Sequence, residues 1–466
     1  MLSRRGRLPL ASASRSCPRR RRDKAAGRSS QLSDTAAPEC LISPLRSLAR
    51  SQGRGDVMSE ARVVAFSDLH IDGGRHGTTN PATGLNTAWE STARIAKSIA
   101  DYAIEQEVDA VVTPGDLYLN GWPRPEAVEL LFDFFRTLSA AGIDVVVSPG
   151  NHELINLPRG HRSPIEHFRD LAHVHVMTGP GVVTLESGLQ IATFPWPTRT
   201  SLLAPGDTDG KTAPEIDALV AQRAVDQIAR LAEQVDVRRG PAMLAGHATV
   251  GDCVIGSSKR GSEMDLAELF AEPVIPLEAL DVDPWQHVAM GHIHTRQIIG
   301  GEGASGRVWF CGSPDRDTFT DEREAKAFSD IRLADNGSIA SVASIATPAR
   351  RFVTLPLPEG LDPAYAVDLL PLEADGAIVR VVLPPGSDDA LGAEVRRVIG
   401  LTGAHVVQVE RPLPPRNDSE RVVAEEGIRP LEGLDLWMPA QGIADDDAAR
   451  LREKAAVLVE ETGVAA

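Results

Sequence analysis

The sequence predicts an α/β fold: a layered sandwich built on a largely parallel sheet, with a small α+β domain after it. Three observations carry that expectation. Strand-like and helix-like segments alternate from Arg62 to Asn151 at the spacing of parallel βαβ units. The strands there are valine- and alanine-rich runs without polar alternation, which implies that both faces are covered. Four prolines between Thr347 and Pro363 then separate this long first part from a compact strand, helix, strand pattern.

In order along the chain, Val63-Val64-Ala65-Phe66 is the first strand, ended by Ser67-Asp68. Ala88, Ile95, Ile99, Tyr102 and Ala103 recur at helical spacing and predict a helix over 88–107. Ala110-Val111-Val112-Thr113, halted by Pro114-Gly115-Asp116, is the second strand. A helix follows over 125–140, and Val145-Val146-Val147 forms a third strand that stops at Ser148-Pro149-Gly150-Asn151. Short strands at Val174–Met177, Val182–Leu185 and Ile191–Phe194, divided by Gly and Ser, predict a partly antiparallel addition. Ile216, Leu219, Val220, Ile228 and Leu231 form one stripe of an amphipathic helix from Pro214 to Val235. Ala242–Ala245 and His287–Met290 are short apolar strands running into glycine, and further strands are expected at 307–311 and 326–333. Past the prolines come strand Ala377–Leu383, helix Leu391–Ile399, strand His405–Glu410, a proline-rich turn at 412–415 and a last helix near 444–462.

The 466 residues, 42% hydrophobic and 24% charged, suffice for two or three domains with cores of their own. No run of about 18 uninterrupted apolar residues occurs, so no membrane-spanning helix is expected. Four cysteines are too few for a disulfide framework and point to a reducing, cytoplasmic setting. The net charge of −17 is unevenly spread. Residues 1–57 carry 13 Lys and Arg against four acids, a balance of +9, which leaves −26 on the remainder. A basic Ser/Arg/Pro-rich leader can be a nucleic-acid arm, a transit peptide, or sequence upstream of the native start. The last is the expectation, because Met58 opens Met-Ser-Glu-Ala-Arg directly before the first strand.

In open α/β sheets, ligands bind where the carboxyl ends of the strands release their loops. Here five strand ends deliver Asp68 with His70, then Asp116, then Asn151 with His152, then His247, then His292 with His294. Each is set beside glycine or a polar turn: Ser67-Asp68-Leu69-His70, Gly115-Asp116, Gly150-Asn151-His152-Glu153, Gly246-His247 and Gly291-His292-Ile293-His294. Any one of these alone is ordinary turn chemistry. Five in succession, each closing an apolar run, are not. Carboxylate, imidazole and amide oxygen suit borderline divalent ions such as Mn, Fe and Zn. Seven candidates, Asp68, His70, Asp116, Asn151, His247, His292 and His294, exceed one four-coordinate centre and suit two metals sharing a carboxylate.

This ordered set resembles the calcineurin-like metallophosphoesterases, whose motifs run D-x-H, G-D, G-N-H-[ED], G-H and G-H-x-H. Within them the chain is most similar to the SbcD-type DNA double-strand-break repair nucleases. The narrower likeness rests on His247-Ala248-Thr249-Val250, on Cys311-Gly312-Ser313-Pro314-Asp315-Arg316-Asp317-Thr318-Phe319 followed by Glu324-Ala325-Lys326-Ala327-Phe328, and on the small β-α-β segment after residue 350. The resemblance spans about 58–440. It implies a layered α/β/β/α metallophosphoesterase sandwich over 58–347, a small α+β capping domain over 350–425 and a C-terminal partner-binding segment over 426–466.

It also implies roles for the site residues. One metal is held by Asp68, His70, Asp116 and His294, the other by Asp116, Asn151, His247 and His292, with Asp116 bridging. His152 does not ligate and assists the leaving oxygen. The expected cofactor is a pair of divalent ions, Mn(II) foremost. The expected partners are DNA, a coiled-coil ATPase of SbcC type and a second copy of the chain, with no membrane. The alternative on the same chemistry is a small-molecule phosphodiesterase. A body carrying −26 should bind DNA weakly by itself, so most affinity is expected to come from the ATPase partner.

One departure from the family concerns Gly115-Asp116-Leu117-Tyr118-Leu119-Asn120, where Leu119 replaces a polar residue. An auxiliary contact is therefore expected to be missing or supplied elsewhere. His76, His161, His167, His173, His175, His287 and His405 lie outside the motifs and are expected to pack or face solvent. The last helix carries Ala448, Leu451, Ala455 and Leu458 on one stripe, which either binds the ATPase coiled coil or packs on its own domain.

Overall fold

The computed structural model describes residues 60–71, 76–157, 160–251, 253, 273–300, 305–370, 376–411, 429–440, 443 and 445–462. The basic leader, the turn at 412–415 and residues 72–75 lie outside the described residues. Strands β1 (Ala61–Ala65), β2 (Ala110–Pro114) and β3 (Asp144–Ser148) are joined by helices α1 (Thr87–Glu105) and α2 (Pro125–Ala140). The three strands run parallel, as the valine runs predict. Asn86 caps α1 by accepting from the Ala88 and Trp89 amides, and Pro125 opens α2 where a missing N–H costs nothing.

A hairpin, β4 (Ile155–Leu157) with β5 (Gly160–Arg162), precedes β6 (Val174–Val176), which adds parallel to β3. The antiparallel addition expected from Val174 onward is thus limited, in this stretch, to β7 (Gly181–Thr184) against β8 (Gln190–Phe194). After a short helix α3 (Arg199–Leu202), helix α4 (Ala213–Gln234) leads into β9 (Ala242–His247). Then follow β10 (Thr249–Val250), β11 (Val274–Ile275), β12 (His287–Gly291), β13 (Gln297–Ile298) and β14 (Val308–Phe310). The last long strands are β15 (Ala327–Leu333) and β16 (Ser341–Ala346). Two six-stranded sheets result, with orders β16-β15-β1-β2-β3-β6 and β13-β14-β12-β9-β8-β7.

Strand alternation sorts the core into layers. Val64 and Phe66 of the first strand segment, with Val111, Val145 and Val147, pack with Ile95, Ile99, Leu131 and Phe135 of α1 and α2. Val63, Ala65, Val112 and Val146 point the other way and meet Ile191, Met243, Ala245 and Ala289 of the second sheet. On its far side, Leu244, Val288 and Met290 pack with Ala224, Ile228 and Leu231 of α4. Helix, sheet, sheet, helix is the four-layer sandwich the resemblance implies.

The proline-rich stretch is not all connector. Phe352–Pro356 forms β17, which pairs with β18 (Ile378–Val382) and, through it, β19 (His405–Glu410) in a parallel three-stranded sheet covered by α5 (Asp389–Gly400). Pro356 is tolerated because β17 is an edge strand and Pro356 its last residue. Helices α6 (Pro430–Ala440) and α7 (Asp445–Thr462) follow, joined by the Arg452 guanidinium donating to both Asp435 carboxylate oxygens at 2.6 Å.

Candidate metal centre

The carboxyl ends of β1, β2, β3, β9 and β12 release the five loops that carry the candidate ligands, and those loops converge. Asp68, His70 and His294 each offer one ligand atom, all within 4.8 Å of one another, and Asp116, His247 and His292 do the same. Asp116 and His70 also group with His152. Asn151 Oδ1 lies 3.0 Å from His247 Nε2 and 3.2 Å from His292 Nδ1, and Asp116 Oδ2 is 3.2 Å from His247 Nε2. All seven candidate ligands and His152 therefore share one site, and six of the seven fall into two clusters of three.

The backbone is bent to achieve this. Asp68, His70, Asp116 and His292 all hold positive φ, of 56°, 45°, 54° and 98°, where side chains with a Cβ sit at a cost of roughly 1–3 kcal/mol each. Hydrogen bonds between neighbouring loops hold them there: Asp68 N–H donates to Gly115 O at 3.1 Å and His70 N–H to Asp116 O at 3.1 Å. His292 N–H donates to Asp68 Oδ1 at 3.0 Å, and the Ser67 hydroxyl donates to Asp68 Oδ2. The motif glycines are close-approach points. A Cβ on Gly115, at φ 94°, would stand 2.5 Å from Gly150 N, and one on Gly150 would stand 2.2 Å from Asp116 Oδ1.

Asp68, Asp116 and His247 are fully or almost fully buried, Asn151 and His294 are half-buried, and His152 is exposed. Burial, with the charge of His294 beside it, pushes His70 down to about 3, and burial with nearby Lys326 pushes His294 down to about 4. Their Nε2 atoms face each other at 3.0 Å on neutral rings, a pairing that one proton or one cation can satisfy. His70 Nδ1 is buried with no hydrogen-bond partner among the described residues. His247 is the opposite case: burial pulls it down, but the Asp116 carboxylate more than compensates and raises it to about 9. Burial alone would raise Asp116; the charge and hydrogen bond of His247 instead hold it well below the usual carboxylate range. His247 Nδ1 lies 2.6 Å from Pro114 O, so its N–H there fixes the ring and turns Nε2 toward the oxygens of Asp116 and Asn151. Four imidazoles, two carboxylates and one amide, oriented in this way, fit a pair of divalent cations.

Leu119 contributes to this arrangement through its backbone. Its backbone carbonyl lies 2.9 Å from His152 Nδ1 and accepts that N–H, while the His152 amide donates to Asp116 Oδ1 at 2.9 Å. The leftover nitrogen of His152, Nε2, is on an exposed ring whose centroid is 4.7 Å from that of His70.

Two further residues shape the site and were assigned no role from sequence. Glu153 is fully buried, and its carboxylate accepts the amides of Leu117 (2.6 Å), Tyr118 (3.0 Å), Asp116 (3.2 Å) and Gly150 (2.9 Å), tying the Asp116 loop to the Asn151 loop. Burial and the Asp116 charge push its pKa up to about 7 against the pull of those amides. Trp196 packs its ring on His292 at 4.9 Å and on His247 at 5.9 Å. Glu153 is visible in the Gly150-Asn151-His152-Glu153 motif, but accepting backbone amides leaves no sequence pattern. Trp196 has a weak signal, an aromatic between Pro195 and Pro197 at the end of β8.

Of the outlying histidines, His173 and His175 flank Asp144 at 3.3 and 2.9 Å, His287 is buried within β12, and His161 Nδ1 lies 3.3 Å from Thr200 Oγ1. Lys259-Arg260, a basic pair in a Gly/Ser-rich stretch of the sequence that could grip a nucleic-acid backbone or simply face solvent, lies outside the described residues. Trp437 of α6 is 42% exposed, and Leu451 and Leu458 of the α7 stripe are 41% and 60% exposed.

Residues 61–296 match the family model described as calcineurin-like phosphoesterase. The SbcD component of the nuclease SbcCD of Escherichia coli (strain K12) is 25% identical over 397 residues, covering 80% of this chain and 90% of that protein. The DNA double-strand break repair protein Mre11 of Methanopyrus kandleri is 29% identical over 104 residues, covering 22% of this chain and 21% of that one. No helix among the described residues is long and apolar enough to cross a membrane.

Proposed function

Since this chain belongs to the calcineurin-like phosphoesterase family, we propose that it is a two-metal phosphodiesterase of SbcD type, the nuclease component of a complex that processes double-strand DNA ends beside a coiled-coil ATPase. The observation that carries the reading is the convergence of seven ligand-type side chains and His152 at one sheet edge. The narrower choice of DNA draws on the similarity to the SbcD component of SbcCD over most of both chains.

In this reading Asp68, His70, Asp116 and His294 hold one ion and Asp116, Asn151, His247 and His292 the other, Mn(II) being the expected metal. When bound, such a pair neutralises phosphodiester charge and lowers the pKa of the attacking water. The protein's own groups do the rest. Asp116, kept ionised by its surroundings, supplies the shared negative charge. Pro114 O and Asn151 Oδ1 orient the His247 ring, and Trp196 backs both His247 and His292. Leu119 O accepts the Nδ1–H hydrogen bond of His152, which leaves Nε2 to assist the departing oxygen, as general acid or hydrogen-bond donor from the doubly protonated ring. The segments 58–347, 350–425 and 426–466 then serve as nuclease domain, capping domain and partner-binding end. The exposed Trp437, Leu451 and Leu458 support the last of these. A homodimer is expected on family grounds alone.

The test is direct. The purified chain is given Mn(II) or EDTA and offered linear duplex DNA and a chromogenic phosphodiester. Metal-dependent cleavage of the DNA supports the reading. Hydrolysis of the chromogenic diester alone would instead favour a small-molecule phosphodiesterase, and neither activity would refute both.

A further inference from the structure

A second polar feature lies away from the metal centre, in a cleft of about 510 Å³ between the start of α1 and the β17–β18 sheet. Asn80, Thr87, Glu90 and Arg94 line one side, and Pro348 to Arg351 with Gly376 line the other. Three of these residues are arginines, in a body that carries −26 overall. Their one acidic neighbour in the lining is already engaged: Glu90 accepts from Asn80 Nδ2 at 2.9 Å and from the Thr83 hydroxyl at 2.6 Å. Arg94, on the exposed face of α1, is near enough to Glu90 to act on its carboxylate electrostatically. Arg350 is the more telling residue. Its Nε and Nη1 are both buried and have no hydrogen-bond partner among the described residues. Asp315 and Asp317 are near enough to act on Arg350 electrostatically, and Arg94 acts on it with the opposite sign.

Buried guanidinium donors without acceptors are costly and call for an anion. Planar, bidentate donors of this kind match phosphate oxygens. We propose that Arg94 and Arg350 form a phosphate subsite, which on the nuclease reading takes a backbone phosphate of the DNA strand at a distance from the cleavage site. The cleft joins the phosphoesterase sandwich to the small sheet after residue 350, so a strand held there would span both.

The experiment compares the full chain with Arg94→Gln and Arg350→Gln, singly and together. Two readouts are taken: binding of duplex DNA as a function of salt, and the thermal shift given by inorganic phosphate or by AMP in EDTA. Arg94 is exposed, so its variant keeps the fold even if the Arg350 variant does not. The expected result is a loss of DNA affinity of about tenfold in the double variant, the order of one charge-assisted hydrogen bond. The salt slope should fall by about one for each arginine removed. Hydrolysis of a chromogenic diester should stay unchanged. If the wild type neither binds nor cleaves DNA, the nuclease reading fails, and a phosphate-induced shift that the substitutions abolish would still support the subsite for a free phosphate or mononucleotide. DNA affinity, salt slope and phosphate shift all unchanged in the Arg94 variant would overturn it.

Discussion

Glu153→Ala is the most informative single change, because Glu153 touches none of the reacting atoms yet holds two of the ligand loops. Its carboxylate accepts four backbone amides at 2.6–3.2 Å, those of Asp116, Leu117, Tyr118 and Gly150. Removing it leaves four N–H groups without that acceptor in a fully buried place, at about 1–3 kcal/mol for each group that stays unpaired. Water entering the vacated space would repair some of them, so a loss of about 4 kcal/mol or more is expected. The assay is urea denaturation at pH 6 in EDTA, with Mn(II) titration of the same samples. Metal affinity should fall by about 10–100-fold, the usual effect of losing a support behind the ligands. The pKa adds a sign. Because the folded carboxyl is raised from 4.5 to about 7, the stability it contributes is complete below 4.5 and is lost as pH rises through 7. Wild type should show that decline in EDTA, and the alanine variant should not. A stability change under about 0.5 kcal/mol with unchanged metal affinity would refute the reasoning.

Three other outcomes are expected. Asp116→Asn should remove nearly all hydrolysis and one or both metals, whereas His152→Ala should abolish turnover and leave metal content intact; metal loss in the His152 variant, read by elemental analysis, would contradict its non-ligand role. Gly115→Ala places a Cβ 2.5 Å from Gly150 N and 2.7 Å from His247 Nδ1 at φ 94°, so denaturation should show a cost of about 2–4 kcal/mol. Asp144 is raised by burial but lowered further by hydrogen bonds from His175 and His173, so its folded pKa lies below 3.8. Its advantage over Asp144→Asn, about 0.5–1.5 kcal/mol, should be present above pH 4 and disappear as the pH falls below that, when stability is followed across pH 2–7.

The sequence exposed most of the sandwich and all of the candidate ligands for one reason: both are local. A buried parallel strand is an unbroken valine run, and the loop it releases begins with the Gly-Asp, Gly-Asn-His or Gly-His step that gives the backbone its close approaches. What stayed hidden depends on partners distant in sequence. Pro356 reads as a strand breaker until β17 proves to be an edge strand. Ser341–Ala346 has too few large apolar residues to read as a strand, and it forms one by pairing along β15 at the rim of the first sheet. The contact that positions His152 was hidden too, because the backbone carbonyl that makes it, that of Leu119, is the same for any residue.

The central claim is that this cleft binds two divalent ions through a shared Asp116. Calorimetric titration of the metal-stripped chain with Mn(II) tests it most directly. Two sites per chain are predicted, falling to one or none in Asp116→Asn, with DNA cleavage appearing only as both fill. A single site in the wild type, or two sites that persist in Asp116→Asn, would contradict it.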